Sequence, residues 1–520
     1  MKTSTFKDRC ENFLKFLNPI FLELPNQHEI FKNKRLRKRW LLFGCLFIII
    51  WQMSFFLFPE RLPGIPDDYK KITSADLQKF DIGYIEYKMV ASWGMFEQSK
   101  FVYFHYYLDL FPIATLMDNP VQTKEGAKQI IANHGDSLVN EIGTTVKYGD
   151  FGRLFLFLPW SYLTGSAENP TVIPFHGFMF ILSLILLYIA FWRIRLELFG
   201  TIIVLFLGSN PFQIFEVYRR DNVFGWPITT AILILALHVP ILKKQKPEPS
   251  VIFWATPVIT GSFLAFMGQV RNESVAIIIS AALCYFFISK ISLLKRFSLL
   301  CLLLFSFFIG NYSWESYFSY KTKQAETIVA TSGGTPYLGQ SFNTHLLWHP
   351  IFTGLGDFDK KYGYGWDDGV AAMYAKSVLK EEYVSGPIDE HPRYSKIIRE
   401  KVLHDIKEDP LWYTKIILRR VIKSIYSTTP VSLSAGHINL RLFHFQGFML
   451  IPMLCLLYWM RNWMFLKILL FTLPLSLPNI AIYSGMGMTN YAIFHLFTTA
   501  ILIAWVIEIL IIKSQLRHSF

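Results

Sequence analysis

Apolar residues along the chain gather into long blocks that polar segments separate. A helix needs about 20 mostly apolar residues to cross a membrane, because the hydrocarbon core is roughly 30 Å thick and each residue rises about 1.5 Å. The pattern therefore predicts an all-α polytopic membrane protein with about ten transmembrane helices, of which the third and the sixth are short or interrupted. The expected spans are 41–58, 171–192, 196–212, 223–242, 251–269, 273–289, 297–313, 442–460, 465–483 and 491–512.

The composition excludes an ordinary soluble domain. Hydrophobic residues make up 52% of the chain and charged residues only 17%, whereas soluble domains carry about 25% charged residues. The net charge of +13 would suit a nucleic-acid surface, but the cations lie mostly at the connections between the expected spans, which indicates a membrane topology.

Lysine and arginine are placed as a membrane topology requires. Short cytoplasmic loops retain positive charge, and six cations stand between Lys32 and Arg39, just before the first span. Every second connection after that span is basic as well, which puts both termini in the cytoplasm. The cations of these connections are Arg193 and Arg195; Lys243, Lys244 and Lys246; Lys290, Lys295 and Arg296; Arg461 and Lys467; and Lys513 and Arg517.

This topology divides the chain into four parts. Residues 1–40 form a basic, amphipathic N-terminus in the cytoplasm. Residues 41–313 hold spans one to seven together with the first large extracytoplasmic loop, 59–170. A second extracytoplasmic loop forms a domain over 314–440, and residues 441–520 hold the last three spans and a cytoplasmic tail.

The first outer loop carries carboxylates soon after the first span. Asp68 lies in PDDYKK, and Asp81 and Glu86 lie in FDIGYIEYK. Each of them is either a solvated loop residue or a group that takes part in chemistry, for which a carboxylate is a suitable proton acceptor.

Arginines occur on two outer connections, against the usual distribution of positive charge. Arg219, Arg220 and Asp221 form the YRRD sequence, in which the planar guanidinium groups suit a phosphate. The alternative is an Arg–Asp pair that ties the connection together. Arg271, in GQVRNES, lies near membrane depth, where an ionisable residue by default indicates a site, although it can also reach the headgroups by snorkelling.

The second outer loop contains HLLWHPIFTGLGDFDKKYGYGWDDG, whose glycines and aspartates predict an ordered loop with tight turns. His345 and His349 are four residues apart, as in some metal sites. Pro350 follows at once, and no cysteine or third histidine stands nearby, so we favour a structural or substrate-binding role and predict no metal site. A strongly helical stretch follows over 396–426, with a break near Asp409.

These features together resemble the GT-C membrane glycosyltransferases, of the protein mannosyltransferase and aminoarabinose transferase type. The resemblance rests on the number of spans, the acidic first loop, the Arg-Asp turn and a late loop that returns through a DP-containing amphipathic helix. YRRD and HPIFTGLGDFDKKYGYGWDD further resemble a bacterial branch of these proteins.

The resemblance implies an inverting transfer of a sugar from a polyprenyl-phosphate donor to a glycan, lipid or protein acceptor, on the extracytoplasmic face of a bacterial inner membrane. It implies no nucleic acid and no cofactor, and it leaves open whether a divalent cation assists. The catalytic base would be Asp81 in the first place, then Asp68 or Glu86.

The resemblance also assigns binding roles. The donor phosphate would be bound by Arg219, Arg220 and Arg271, with Asp221 orienting them. The substrate would be bound in the second outer loop, although its aromatic residues are equally suited to packing a small domain. The candidates there are His345, His349, Tyr364, Trp366, Asp367 and Asp368.

Two other functions remain open. A transporter or flippase of lipid-linked intermediates should carry ionisable residues inside its spans. A polysaccharide polymerase or ligase would depend on arginine and histidine of the late loop and not on the first-loop acids.

Overall fold

A computed structural model of the protein describes residues 33–57, 173–220, 225–243, 251–286, 291–331, 347–358, 360–380, 391, 393–426, 428–459, 463–482 and 490–518. At some positions within these ranges, among them Arg219, Arg220 and Asp368, the description extends to the backbone alone.

The described residues are mostly helical. The first helices are α1 (Lys34–Leu57), α2 (Ile173–Arg193), α3 (Glu197–Gly208), α4 (Pro211–Phe215), α5 (Gly225–Lys243), α6 (Val251–Val270), α7 (Ile277–Phe286) and α8 (Leu293–Thr331). The later ones are α9 (Trp348–Leu355), α10 (Asp368–Leu379), α11 (Tyr394–Glu408), α12 (Pro410–Tyr426), α13 (Leu450–Trp459), α14 (Trp463–Leu470), α15 (Leu477–Ala481) and α16 (Asn490–His518). A π-helix (Glu216–Arg220) continues α4, and 3-10 turns cover Asn272–Ala276, Lys361–Gly363, Gly447–Met449 and Leu473–Ser476.

Within the described residues, six helices are long and apolar enough to cross a membrane: α1, α2, α5, α6, α8 and α16. Four shorter apolar helical segments accompany them, at Glu197–Gly208, Ser274–Phe286, Gly447–Leu456 and Phe465–Ala481. The prediction of a mainly helical membrane protein is confirmed.

The direction of the helices can be followed from their contacts. Arg37 near the start of α1 lies over the ring of Trp192 near the end of α2, whereas Phe56 near the end of α1 contacts Gly177 near the start of α2. The two helices are therefore antiparallel. We call the end that carries Arg37 and Arg193 the basic end of the bundle, and the opposite end the far end.

Helices α6 and α8 run parallel and in close contact. A Cβ atom at Gly261 would lie 2.4 Å from the carbonyl oxygen of Leu303, and one at Gly310 would lie 2.8 Å from the Cβ of Ala265. Small residues let membrane helices approach until their backbones touch. Helix α7 connects the two and returns from the far end to the basic end.

A separate hydrophobic core forms in the loop domain, by which we mean the described residues between 348 and 426. Helices α9 to α12 surround this core, and the stacked rings of Tyr364 and Trp412 lie in it with centroids 5.6 Å apart. Burying one large apolar side chain contributes about 1.5–3 kcal/mol, so the core is sufficient reason for these short helices to assemble. Its buried members are Phe352, Leu355, Tyr364, Ala371, Ala375, Leu379, Tyr394, Ile397, Ile398, Val402, Trp412 and Ile416.

The expected span over 442–460 is wrong in its first part, where the structure has a β-hairpin. Strands β1 (Thr428–Ala435) and β2 (Ile438–Gln446) pair in antiparallel fashion. In INLRLF, apolar and polar residues alternate, which is the period of a strand and not of a helix. Gly436 supplies the positive φ of 53° that the tight turn requires.

The turn of the hairpin is bonded to the bundle. The indole nitrogen of Trp51 on α1 donates to the carbonyl oxygen of Ser434 at 2.6 Å, and the backbone nitrogen of Gly436 donates to Oγ of Ser54 at 2.9 Å. The hydroxyl of Ser434 donates to the carbonyl oxygen of Ser209, just after α3, at 3.1 Å. The hairpin therefore closes over the far ends of α1 and α3.

Three further boundaries differ from the prediction. The start of the loop domain at residue 314 falls inside α8, which continues through 39 residues to Thr331 because neither proline nor glycine interrupts its last 20 residues. The span over 465–483 is broken by Pro474 and Pro478 into α14, a 3-10 turn and α15. Arg219 and Arg220, expected on an open connection, end a π-helix.

Candidate functional site

The far end of the bundle contains a cluster of buried polar side chains. His176 on α2 is 0% exposed and Glu216 in the π-helix is 2% exposed. The imidazole of His176 stacks on the indole of Trp226, with ring centroids 4.2 Å apart and an interplanar angle of 10°. Nε2 of His176 lies 3.4 Å from Oγ1 of Thr229. These two contacts fix both the plane and the rotation of the imidazole.

Gly225 lies next to both His176 and Glu216. A Cβ atom at Gly225 would lie 2.5 Å from Cε1 of His176 and 3.4 Å from Cβ of Glu216. Any larger residue at this position would push the imidazole away from the π-helix. In the sequence GWP, the glycine avoids a clash with His176 and Glu216, and the following tryptophan stacks on the imidazole of His176.

The π-helix is held against α1 by Tyr218. Its hydroxyl donates to Oε1 of Gln52 at 2.8 Å, and its ring contacts Phe55 and Phe56 at centroid distances of 5.5 and 4.8 Å. Burial raises the pKa of Tyr218 well above its ordinary value, so the hydroxyl remains a donor. Because π-helices are rare and often lie at functional sites, the segment that ends in Arg220 is a candidate site element.

Arg271 belongs to the same end of the molecule. It follows the last residue of α6, Val270, which packs in one buried cluster with Met267 and Trp226. Since Trp226 also carries the imidazole of His176, a continuous set of contacts leads from Arg271 to the π-helix. The structure therefore places both predicted phosphate-binding segments, Arg271 and the backbone of Arg219–Arg220, at the far end of the bundle.

The loop domain is tied to this end by a buried ion pair. Nε of Arg420 lies 2.9 Å from Oδ2 of Asp357, and both side chains are 0% exposed. Oδ1 of Asp357 accepts a second hydrogen bond, from Nε1 of Trp366 at 2.8 Å. Nη1 of Arg420 donates to the carbonyl oxygens of Ile480 and Ala481 at 3.2 and 3.3 Å. The guanidinium therefore joins the loop domain to the end of α15.

The burial of Arg420 follows from its helical position. Trp412, Ile416, Arg420 and Ser424 recur every four residues on α12, and all four are buried, so they form one face. Helix α15 in turn packs against the 3-10 turn that follows Arg271. Only the short helix α15 thus separates the loop domain from the turn that follows Arg271.

Tyr364 was predicted to bind substrate, and the structure places it inside the loop domain. It is 1% exposed, and its hydroxyl donates to Oδ2 of Asp405 at 2.8 Å. Nζ of Lys401 donates to the same oxygen at 2.8 Å. Burial, and then the bond to Asp405, raises the pKa of Tyr364. These contacts favour packing over stacking on a sugar ring.

The other predicted binders in this domain also have internal partners. Nδ1 of His349 lies 2.5 Å from the hydroxyl oxygen of Tyr394. Asp367 caps α10 by accepting a hydrogen bond from the backbone nitrogen of Gly369 at 2.7 Å, and Asp368 is the first residue of that helix. Trp366 donates to Asp357, as described above. Their binding roles remain predictions.

The remaining candidates, Asp68, Asp81, Glu86, Asp221 and His345, lie outside the described residues. Within the described ranges, no three His, Cys, Asp or Glu side chains lie close enough together to hold a metal ion.

Sequence reasoning missed His176, Glu216 and the Asp357–Arg420 pair. The one signal for Glu216 was its place in EVYRRD, next to the arginines, and for His176 it was a lone imidazole at the start of an apolar block.

The arrangement offers the guanidinium of Arg271, a carboxylate and an imidazole at one end of a helical bundle, and cations at such an end attract the phosphates of lipids. Comparison of the chain with protein-family models, with curated proteins and with solved structures finds no match.

Proposed function

We propose that the protein is a membrane glycosyltransferase that moves a sugar from a polyprenyl-phosphate donor to a glycan, lipid or protein acceptor on the extracytoplasmic face of a bacterial inner membrane. The main support is the location of Arg271, of the Arg219–Arg220 segment and of the attachment point of the loop domain at one end of the bundle, the far end. That end lies opposite the basic connections, which the distribution of positive charge assigns to the cytoplasm.

The proposed topology has ten spans. The six long helices and the four shorter apolar segments add up to this number. Contacts of α3 agree with alternating directions, because Phe199 near its start meets Phe191 on α2 and Gly208 at its end accepts a hydrogen bond from Gln52 on α1. In the proposal, both termini lie in the cytoplasm.

The proposed chemistry uses the arginines to stabilise the leaving phosphate, on which negative charge grows as the glycosidic bond breaks. A carboxylate accepts the proton of the attacking hydroxyl, with Asp81, Asp68 and Glu86 as candidates from the first loop. No cofactor is required, because the phosphate link already activates the sugar.

One observation favours a second function, a transporter or flippase of lipid-linked intermediates. His238 on α5 and Glu508 on α16 are 0% and 3% exposed, and ionisable residues within spans are typical of transport pathways. The polymerase or ligase, which would rely on the late loop, is supported less, because His349 and Arg420 are both bonded within the protein.

Binding of farnesyl phosphate, a short polyprenyl phosphate, tests the site. We expect Arg271→Gln to weaken its binding to the full chain in nanodiscs about tenfold or more, since a hydrogen bond to a charged group contributes about 1.5–3 kcal/mol. Intrinsic tryptophan fluorescence is the measurement. Arg419→Gln, an exposed arginine on α12, is the matched control and should change the affinity little.

Equal weakening by both substitutions, or no binding to the unmodified protein, would contradict the proposal. Mass spectrometry of farnesyl-phosphate mannose after incubation separates the two functions. When an acceptor hydroxyl is supplied, a transferase moves the sugar from the phosphate to that hydroxyl, whereas a flippase returns the probe intact.

A further inference from the structure

An apolar groove lies at the basic end of the bundle, where α7 ends and α8 begins. Its volume is about 430 Å³, within the range of about 300–1,000 Å³ that is usual for small-molecule sites. Leu293 and Leu294 in its wall are 73% and 75% exposed, so the groove is open from outside the bundle. The residues that line it are Phe286, Leu293, Leu294, Arg296, Phe297 and Leu300.

Arg296 is the one charged side chain among these lining residues, and α7 holds it in place. Its Nη1 donates to the carbonyl oxygen of Phe286, the last residue of α7, at 3.1 Å. Its Nε is buried and has no hydrogen-bond partner in the described structure. Buried polar groups are nearly always bonded to protein, water or ligand. The guanidinium is therefore fixed at the groove and keeps hydrogen-bonding capacity for a ligand.

A second cation stands beside this arginine. Lys467 on α14 lies close enough to Arg296 for their charges to repel, and α14 packs against α7. Lys295, the residue before Arg296, is exposed at the same place. Like charges at close range destabilise the arrangement that brings them together, and an anion bound between them would remove this cost.

The elements that carry these cations have no carboxylate to neutralise them. The sequence contains neither aspartate nor glutamate over 274–314, which includes α7 and the start of α8, or over 410–507, which includes α14. Among the described residues, neither Arg296 nor Lys467 forms an ion pair. The positive charge at the groove thus remains for a ligand to compensate.

We propose that the groove binds one anionic phospholipid from the leaflet at the basic end. An acyl chain lies against the apolar side chains, and the phosphate is bound by Arg296 and Lys467. The planar guanidinium suits a phosphate, and basic pockets between membrane helices bind lipid head groups. The bound lipid neutralises the two cations and thereby stabilises the packing of α7 against α14. Because Arg271 lies at the opposite end of the bundle, this site does not depend on the proposed transferase function.

Native mass spectrometry of the full chain, with lipid added to the detergent, tests the site. We expect phosphatidylglycerol to bind more tightly than phosphatidylcholine with the same acyl chains. Arg296→Gln should weaken the binding of phosphatidylglycerol about tenfold or more, the effect of losing one hydrogen bond to a charged group. Arg296→Lys, which keeps the charge, should retain most of the preference. Arg39→Gln, an exposed arginine of α1 at the same end, is the matched control and should change the affinity less than about twofold.

The contribution of the groove is measured separately from that of the cations. Leu294→Trp places a larger side chain in the groove, leaves both cations unchanged and should also weaken the binding of phosphatidylglycerol. Leu304→Trp, at an exposed apolar position farther along α8, is its control and should bind the lipid as the unmodified protein does. Thermal unfolding of each variant confirms that it is folded.

Three results would overturn the proposal. The first is equal affinity of the unmodified protein for the two lipids, which would mean that the cations select nothing. The second is an Arg296→Gln variant that keeps the full preference for phosphatidylglycerol. The third is displacement of the lipid by an equal concentration of inorganic phosphate, which would mean that the groove adds no affinity for the acyl chain.

Discussion

Two ion pairs, one at each end of the molecule, differ in what surrounds them. At the basic end, Nε of Arg37 bonds Glu197, and the side chains are 17% and 2% exposed. At the far end, Arg420 bonds Asp357, and both are 0% exposed. Arg37 also lies over the ring of Trp192, 4.2 Å from its centroid, and is partly open to solvent. Arg420 is bonded on several sides by protein.

The two pairs have the same chemistry, but they differ in how much breaking them should destabilise the fold. The pair at the basic end connects α1 to α3 and is partly open to solvent, so water can replace part of the interaction that is lost if the pair breaks. The pair in the loop domain joins two parts of the fold, and a charge left there would have no water. In a third pair, Lys361–Asp409, the side chains are 49% and 26% exposed, so this pair is more open to solvent than the other two.

The largest effect is expected for Asp357→Asn. Removing one charge of a fully buried pair leaves the other uncompensated, which typically costs about 3–5 kcal/mol. Hydrogen exchange of the α12 amides, read by mass spectrometry, should show this loss as faster opening of the loop domain. The double variant Asp357→Leu with Arg420→Met should recover much of the stability, because no buried charge remains. Equal exchange in the single variant and the unmodified protein would mean that the pair does not hold the domain.

A smaller effect is expected for Glu197→Gln. Arg37 keeps access to solvent and its contact with Trp192, so the loss should lie near the value of one charged hydrogen bond, about 1.5–3 kcal/mol. Thermal unfolding in detergent measures this loss of stability. Glu315→Gln on α8 is the control, because it removes the charge of a carboxylate that accepts a hydrogen bond from the neutral Asn311. A loss as large as that of Asp357→Asn would show that exposure does not separate the two pairs.

The smallest effect is expected for Asp409→Asn, and it should depend on pH. The hydrogen bond from Lys361 lowers the pKa of Asp409, so this carboxylate stabilises the fold above its unfolded pKa and loses the effect as pH falls through the folded pKa. The same bond raises the pKa of Lys361, so that contribution disappears as pH rises through the folded pKa. Melting temperatures of the variant and the unmodified protein should therefore differ most near neutral pH and converge in acid and in alkali. A constant difference across pH would contradict this reasoning.

The sequence predicts the helices of this fold well where periodicity and length decide them. Helix α1 begins among the cations, at Lys34 and not at residue 41, and ends within a residue of its expected bound. Strand β2 is not predicted because LRLF belongs to a stretch whose average hydropathy is that of a membrane span. Strand β1 has no clear signal of its own and is recognised only from its pairing with β2. The expected span 297–313 ends well before α8 does, because average hydropathy marks the point where polar residues begin and not the point where the helix ends.

The candidate site could be predicted only in part. Arg271 and YRRD stand out because charge interrupts an apolar block. Nothing local indicates that Asp357 meets Arg420, 63 residues later, or that His176 meets Thr229, 53 residues later. Such pairs depend on how the helices pack, which the sequence of one element does not contain.

The hairpin has a consequence for biogenesis. Trp51 and Ser434, which it joins, are 383 residues apart, so α1 enters the bilayer long before the strand that fastens it has been synthesised. Only 22% of the apolar stretch of α1 is buried in the described structure. A chain that ends before residue 434 would therefore lack the hydrogen bonds that hold α1 to the hairpin.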